Sequence, residues 1–179
     1  GIAGSVSLLV FVELPQAQQL DGCKQIMHKY RTWPTNFVRD IIRKAPTSDM
    51  MNTLARSVLT LYAYDEKGND TSLPNVLRQC IELIALFPQL AVYGYQAYYR
   101  ELHPSNSFFI HAPQPELSIA ENILSILRLD HTSTDLEARI LDLALVLTSE
   151  HCSRTNSTFT THDLSSPVSA PLSCLAPLL

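Results

Sequence analysis

Glycine is scarce in this chain, five residues in 179, and none are grouped. That excludes the glycine-rich loops that cradle phosphate against backbone amides. Basic clusters are missing too. With a net charge of -4 and a pI near 5.8, the chain carries no electrostatic footprint for nucleic acid, and no nucleic-acid partner is expected. The four cysteines, at 23, 80, 152 and 174, show no paired spacing of the zinc-ribbon or thioredoxin kind. Cys23 and Cys80 fall on apolar helical stripes and read as buried thiols, which suits a reducing compartment. No run approaches the roughly 20 apolar residues that span a bilayer. The opening GIAGSVSLLVFVELP lacks the basic flank and small-residue cleavage pattern of a signal peptide. A soluble, cytoplasmic protein without a membrane partner is the expectation.

Hydrophobic residues make up 46% of the chain and charged ones 17%, which suits a single region with a real core. Helical spacing dominates. Residues 6–12, VSLLVFV, are nearly all apolar and read as a fully buried helix, although so short a run also fits a strand. Leu20, Cys23, Met27 and Tyr30 then form a one-sided stripe. Pro34 breaks the chain, and Thr35 or Asn36 is placed to cap a helix carrying Phe37, Val38, Ile41 and Ile42. Ser48-Asp49 caps another, with Met51, Leu54, Val58 and Leu61 on one side. The charged stretch DEKGND at 65–70 is a loop.

Ser72-Leu73-Pro74 opens a helix whose stripe is Val76, Cys80, Leu83, Ile84 and Phe87, and Pro88 is expected to kink or restart it. The run 89–102 is rich in tyrosine, as at a core edge or a subunit interface. After a proline-punctuated loop at 108–118 come two capping boxes, Ser118 with Glu121 and Thr134 with Glu137. They introduce the stripes Ile119, Ile123, Ile126, Leu127 and Leu136, Ile140, Leu143, Leu147. No segment alternates with period two, so the fold class is all-α. Residues 163–179 carry three prolines and no clean stripe, and read as an irregular tail.

Candidate chemistry gathers where the last helix ends. Residues 141–161, LDLALVLTSEHCSRTNSTFTT, lead an apolar helix into Thr148, Glu150, His151, Arg154, Asn156 and several hydroxyls. A histidine at a helix C-terminus is favoured by the dipole when protonated, and many such residues are structural. With an arginine and an amide close by, His151 could instead donate hydrogen bonds to a carboxylate or carbonyl. A metal set of Glu150, His151, Cys152 and His162 fits no established ligand spacing, so no metal is assigned. Adjacent Cys152 and His151 do not make a nucleophile pair. No catalytic residue is assigned either, because a lone acid beside His151 has no positioned partner. His111, in the proline-rich loop, is either a hydrogen-bonded loop histidine or the wall of a cleft. His28, His103 and His131 read as surface positions.

Seven stretches taken in order resemble citrate synthase, particularly its bacterial form. They are LLVFVELP at 8–15, FVRDIIRKAP at 37–46, MNTLARSVLTLYAYD at 51–65, NVLRQCIELIALFP at 75–88, FFIHAPQPELSIAENIL at 108–124, LEARILDLALVLTSEH at 136–151 and NSTFTTH at 156–162. The resemblance implies a multi-helical large domain, here incomplete and comprising its N-terminal portion over 1–179. It implies a homodimer that condenses oxaloacetate with acetyl-CoA, a substrate rather than a cofactor, to give citrate and CoA. A histidine of the family motif hydrogen-bonds oxaloacetate, and that position is His151. The motif's asparagine is Asn156. Such a donor, aimed at the ketone oxygen, stabilises the alkoxide formed as the enol attacks.

Three departures stand out. Thr148 takes the place of the motif's first histidine, Cys152-Ser153-Arg154 replaces a glycine stretch, and Val12 stands where glycine is usual before Glu-Leu-Pro. The family's later enol-stabilising histidine, proton-abstracting aspartate and carboxylate-binding arginines have no counterpart in these residues. The chain by itself is therefore expected to lack synthase activity. The alternative expectation is a catalytically inactive helical dimerisation remnant of the family.

Overall fold

A computed structural model describes residues 1–105, 109–150 and 161. Among these are six α-helices and one π-helical turn, and no strand. In order they are α1 (Ile2–Phe11), α2 (Ala17–Lys29), the π-helical turn Val38–Ile42, α3 (Met50–Tyr62), α4 (Leu73–Leu102), α5 (Ile119–Leu127) and α6 (Asp135–Thr148). Close contacts gather into two units. The first comprises Gly1–Arg31 and the described part of Ile110–Cys152, and the second the described parts of Thr32–Phe109 and Ser153–Leu179.

In the first unit α1 packs on α2 and on α6, and α5 packs on α6. Met27, Ile119, Ala120 and Ile126 are buried there. The expected burial of residues 6–12 is not seen: the segment is helical, but Leu8, Leu9 and Phe11 are exposed and of α1 only Ser7 is buried. Nor does the stripe of α6 face the core. Leu136, Ile140, Leu143 and Leu147 are 53% to 80% exposed, while Ala138 on the other side is the buried residue of that helix. A small side chain lets the helix come close to its neighbours, whereas periodicity reports that a stripe exists and not which side is covered.

Helix α1 ends in Val12, whose φ of 64° lies in the left-handed region. Its amide donates to the Leu8 carbonyl at 2.8 Å, completing the last turn. Glycine suits that conformation at no steric cost, whereas a β-branched residue is strained in it. This accounts physically for glycine being usual before Glu-Leu-Pro.

In the second unit α3 packs along α4, and both touch the π-helical turn. Gly94 on α4 faces Thr53 on α3 so closely that a Cβ at Gly94 would lie 3.1 Å from Thr53 Cγ2. The expected side-chain cap from Thr35 or Asn36 does not form. Phe37 precedes the turn without a capping hydrogen bond, and the Arg43 amide donates to the Val38 carbonyl at 3.1 Å, the five-residue reach of a π-turn.

Pro88 neither ends nor restarts the chain's longest helix, which runs unbroken from Leu73 to Leu102. Its buried side is Asn75, Gln79, Leu83, Leu86, Leu90 and Tyr93, turned about one residue from the expected stripe, so Cys80 is only half-buried. Because the two runs join, α4 is long and apolar enough to cross a membrane by length and composition, with a mean hydropathy of 1.3 over 18 residues. Buried amides among its apolar residues give it internal partners: Gln89 accepts from Trp33 Nε1 at 2.8 Å, and Trp33 stacks on Phe37.

Candidate functional site

Two interlocked devices position α6, the helix that leads to residue 151. At its start Thr134 and Glu137 form the expected capping box. The Glu137 carboxylate also accepts from both terminal nitrogens of Arg128, at 3.1 and 2.5 Å. Hydrogen bonds from Arg128, then from Thr134, pull the Glu137 carboxyl down to about 2. Midway, Asp142 accepts the Ile2 amide at 2.9 Å and so caps the first turn of α1 from a neighbouring helix.

At the C-terminal end the hydroxyls turn inward on their own helix. Thr148 Oγ1 donates to the Ala144 carbonyl at 2.9 Å, and Ser149 Oγ to the Val146 carbonyl at 2.7 Å. Thr148, which sequence groups with the polar cluster, is thus occupied in closing the last turn, as hydroxyl side chains commonly are. Glu150 follows, exposed. His151 and Asn156, the two candidate oxaloacetate contacts, lie outside the described residues, as do Cys152, Arg154 and His162. Among the described residues no group of three or more His, Cys, Asp or Glu is placed to hold a metal ion.

The first unit also carries an open pocket of about 530 Å³ lined by α2 and by the starts of α1, α5 and α6. Lys24, Arg31 and Arg139 line it opposite Asp135 and Asp142, so its charges are mixed. Burial pushes the Arg31 guanidinium below its ordinary value. Beside the pocket Asn122 organises the chain before α5, a role no sequence pattern announced. Its Oδ1 accepts the Gln114 amide at 2.7 Å, and its Nδ2 donates to the carbonyls of Gln114, Leu117 and Ser118. His111, in that same segment, meets His131 with ring centroids 3.4 Å apart. His131 is exposed, as its sequence position suggested, and the structure adds the contact between the two rings.

In the second unit the 65–70 loop is held by the first turns of α4. Arg78 bonds Asp65 at 2.6 Å and Glu82 at 2.8 Å, while Gln79 Nε2 also donates to Asp65. Burial raises the Asp65 carboxyl, but the hydrogen bonds from Gln79 and Arg78 outweigh it and leave the group below its ordinary value. Glu82 is pushed up by burial, which Arg78 only partly offsets. Burial also takes the Tyr93 hydroxyl up to about 12. Cys23 and Cys80 are free, half-buried thiols that burial pushes up, the opposite of what an activated nucleophile needs.

This arrangement of helices is that of solved citrate synthases. The chain superposes on the enzyme from Pyrobaculum aerophilum with a TM-score of 0.86 at 23% identity, over 99% of this chain and 44% of that one. The match to citrate synthase from Thermoplasma acidophilum, solved as a ternary complex with carboxymethyl coenzyme A and oxaloacetate, has a TM-score of 0.84 at 22% identity, over 99% and 44%. For citrate synthase from Thermotoga maritima the values are 0.77 and 18%, over 99% and 43%. The chain thus spans less than half the length of the solved structures it matches. No curated protein matches it. A family model described as the C-terminal domain of citrate synthase matches residues 3–177, nearly the whole sequence, and the chain belongs to the citrate synthase family.

Proposed function

We propose that this chain is part of a cytoplasmic citrate synthase that works as a homodimer and condenses acetyl-CoA with oxaloacetate to give citrate and CoA. The observation that carries the reading is the family match across residues 3–177. In this reading His151 and Asn156 contact oxaloacetate. A protonated or N–H-bearing imidazole there stabilises negative charge as it develops on the ketone oxygen. No residue described here supplies the proton-abstracting acid, so the reaction belongs to the complete polypeptide. The test is thiol release from acetyl-CoA and oxaloacetate by the complete natural protein, its length set by intact mass. Release that falls at least about a hundredfold in His151→Ala supports the assignment, and absence of any release overturns it.

A second reading, a catalytically inactive helical dimerisation remnant, is favoured by Thr148, whose hydroxyl bonds within α6 where the family carries a histidine. Calorimetry with oxaloacetate separates the two, since a remnant shows no binding that depends on His151.

A further inference from the structure

His111 and His131 come from different segments, yet their imidazoles are in contact, centroids 3.4 Å apart and planes tilted by 52°. His131 belongs to the turn between α5 and α6. Its backbone is left-handed, φ 56°, a region uncommon for residues other than glycine though histidine enters it more readily than most. Ser125 Oγ on α5 lies 3.3 Å from His131 Nδ1. His111 reaches the same turn from the segment before α5, where its ring also hydrogen-bonds the Leu129 backbone. The far end of that segment is tied down by Asn122 through Gln114, Leu117 and Ser118. The imidazole pair therefore holds the near end.

We propose that His111 and His131 form a proton-operated latch, which keeps residues 110–117 on the α5–α6 turn while at least one ring is neutral and releases them when both are charged. With one ring neutral the contact carries no like-charge repulsion, whereas two protons place like charges in contact. The surrounding charges are committed elsewhere. Arg128 is paired with Glu137 of α6, Asp130 accepts the Thr132 amide, and Glu121 of α5 accepts the Ser118 amide. Asp142 of α6 is bonded to Ile2, and α5 itself presents an uncharged hydroxyl, Ser125, to the pair. Burial, then the neighbouring His131, hold His111 below the ordinary histidine value.

The test follows histidine ring resonances and residue-by-residue amide exchange in the intact protein from pH 8 to pH 4.5. In the unaltered protein the midpoint of His111 is expected about half a pH unit or more below that in His131→Gln, which removes the second charge. Protection at 110–117, corrected for intrinsic exchange, is expected to fall about tenfold or more as the second ring charges, while α3 and α4 stay protected. In His111→Asn the segment should be open already at pH 7.5 and indifferent to pH. The latch is overturned if protection at 110–117 persists unchanged through both titrations, a result readable in the unaltered protein alone. It is overturned equally if His131→Gln leaves the His111 midpoint in place.

Discussion

Arg78 Nη2 lies 2.6 Å from Asp65 Oδ2, joining the second turn of α4 to the loop that follows α3. Both side chains are mostly buried, 27% and 13% exposed, so removing the Asp65 carboxylate leaves the Arg78 guanidinium desolvated with only Glu82 as its charge partner. Asp65→Ala is expected to destabilise the protein by about 2–3 kcal/mol in urea unfolding. Changing Asp65 and Arg78 together should cost less than the sum of the single changes. A cost under about 0.5 kcal/mol for Asp65→Ala would mean that the loop is held by its other bonds, among them those from Asn75 to the Lys67 and Asp70 carbonyls.

Val12 invites the opposite kind of change. At φ 64° and 83% exposed, it carries strain and packs against almost nothing. Val12→Gly is expected to stabilise the protein by about 1 kcal/mol, since the relief of left-handed strain exceeds the entropy a glycine adds to the unfolded chain. The readout is the midpoint of chemical unfolding. An unchanged or lowered midpoint would refute the left-handed geometry.

Helix α6 offers a comparison within one unit. Leu143→Ala, on its exposed stripe, should cost no more than about 0.5 kcal/mol. Ile126→Ala, at a site only 1% exposed, should cost about 3 kcal/mol through lost transfer energy and the cavity left behind. Equal costs would place the α6 stripe in the core after all.

Glu137 sets a pH dependence whose sign follows from its partner. Arg128 and Thr134 bind its ionised form, so the folded value, about 2, lies below the ordinary 4.5. The folded chain then binds fewer protons than the unfolded one in that interval, and stability rises with pH there. The contribution is complete above pH 4.5 and is lost as pH falls toward 2. Glu137→Gln should flatten the fall in unfolding midpoint over this window. An identical slope in the two proteins would show the ion pair to be inert.

Much of the local architecture was legible in the residues. Both capping boxes, the Asp49 cap and the Ser72-Leu73-Pro74 helix start sit where short-range rules put them, because a cap is settled by groups within three residues of one another. The family, too, followed from seven ordered stretches. The candidate contacts His151 and Asn156 rest on that resemblance and lie beyond the described residues.

What the tertiary structure decided were choices between faces and partners. Pro88 remains inside α4, and the buried side of that helix passes through Asn75 and Gln79, which bond the 65–70 loop and so make burial of polar groups tolerable. Val12 holds a conformation it disfavours, and His111 meets His131 across separate segments. Helical periodicity is a property of one strand of chain, readable residue by residue, whereas which stripe is covered and which rings touch depends on elements brought together only by folding.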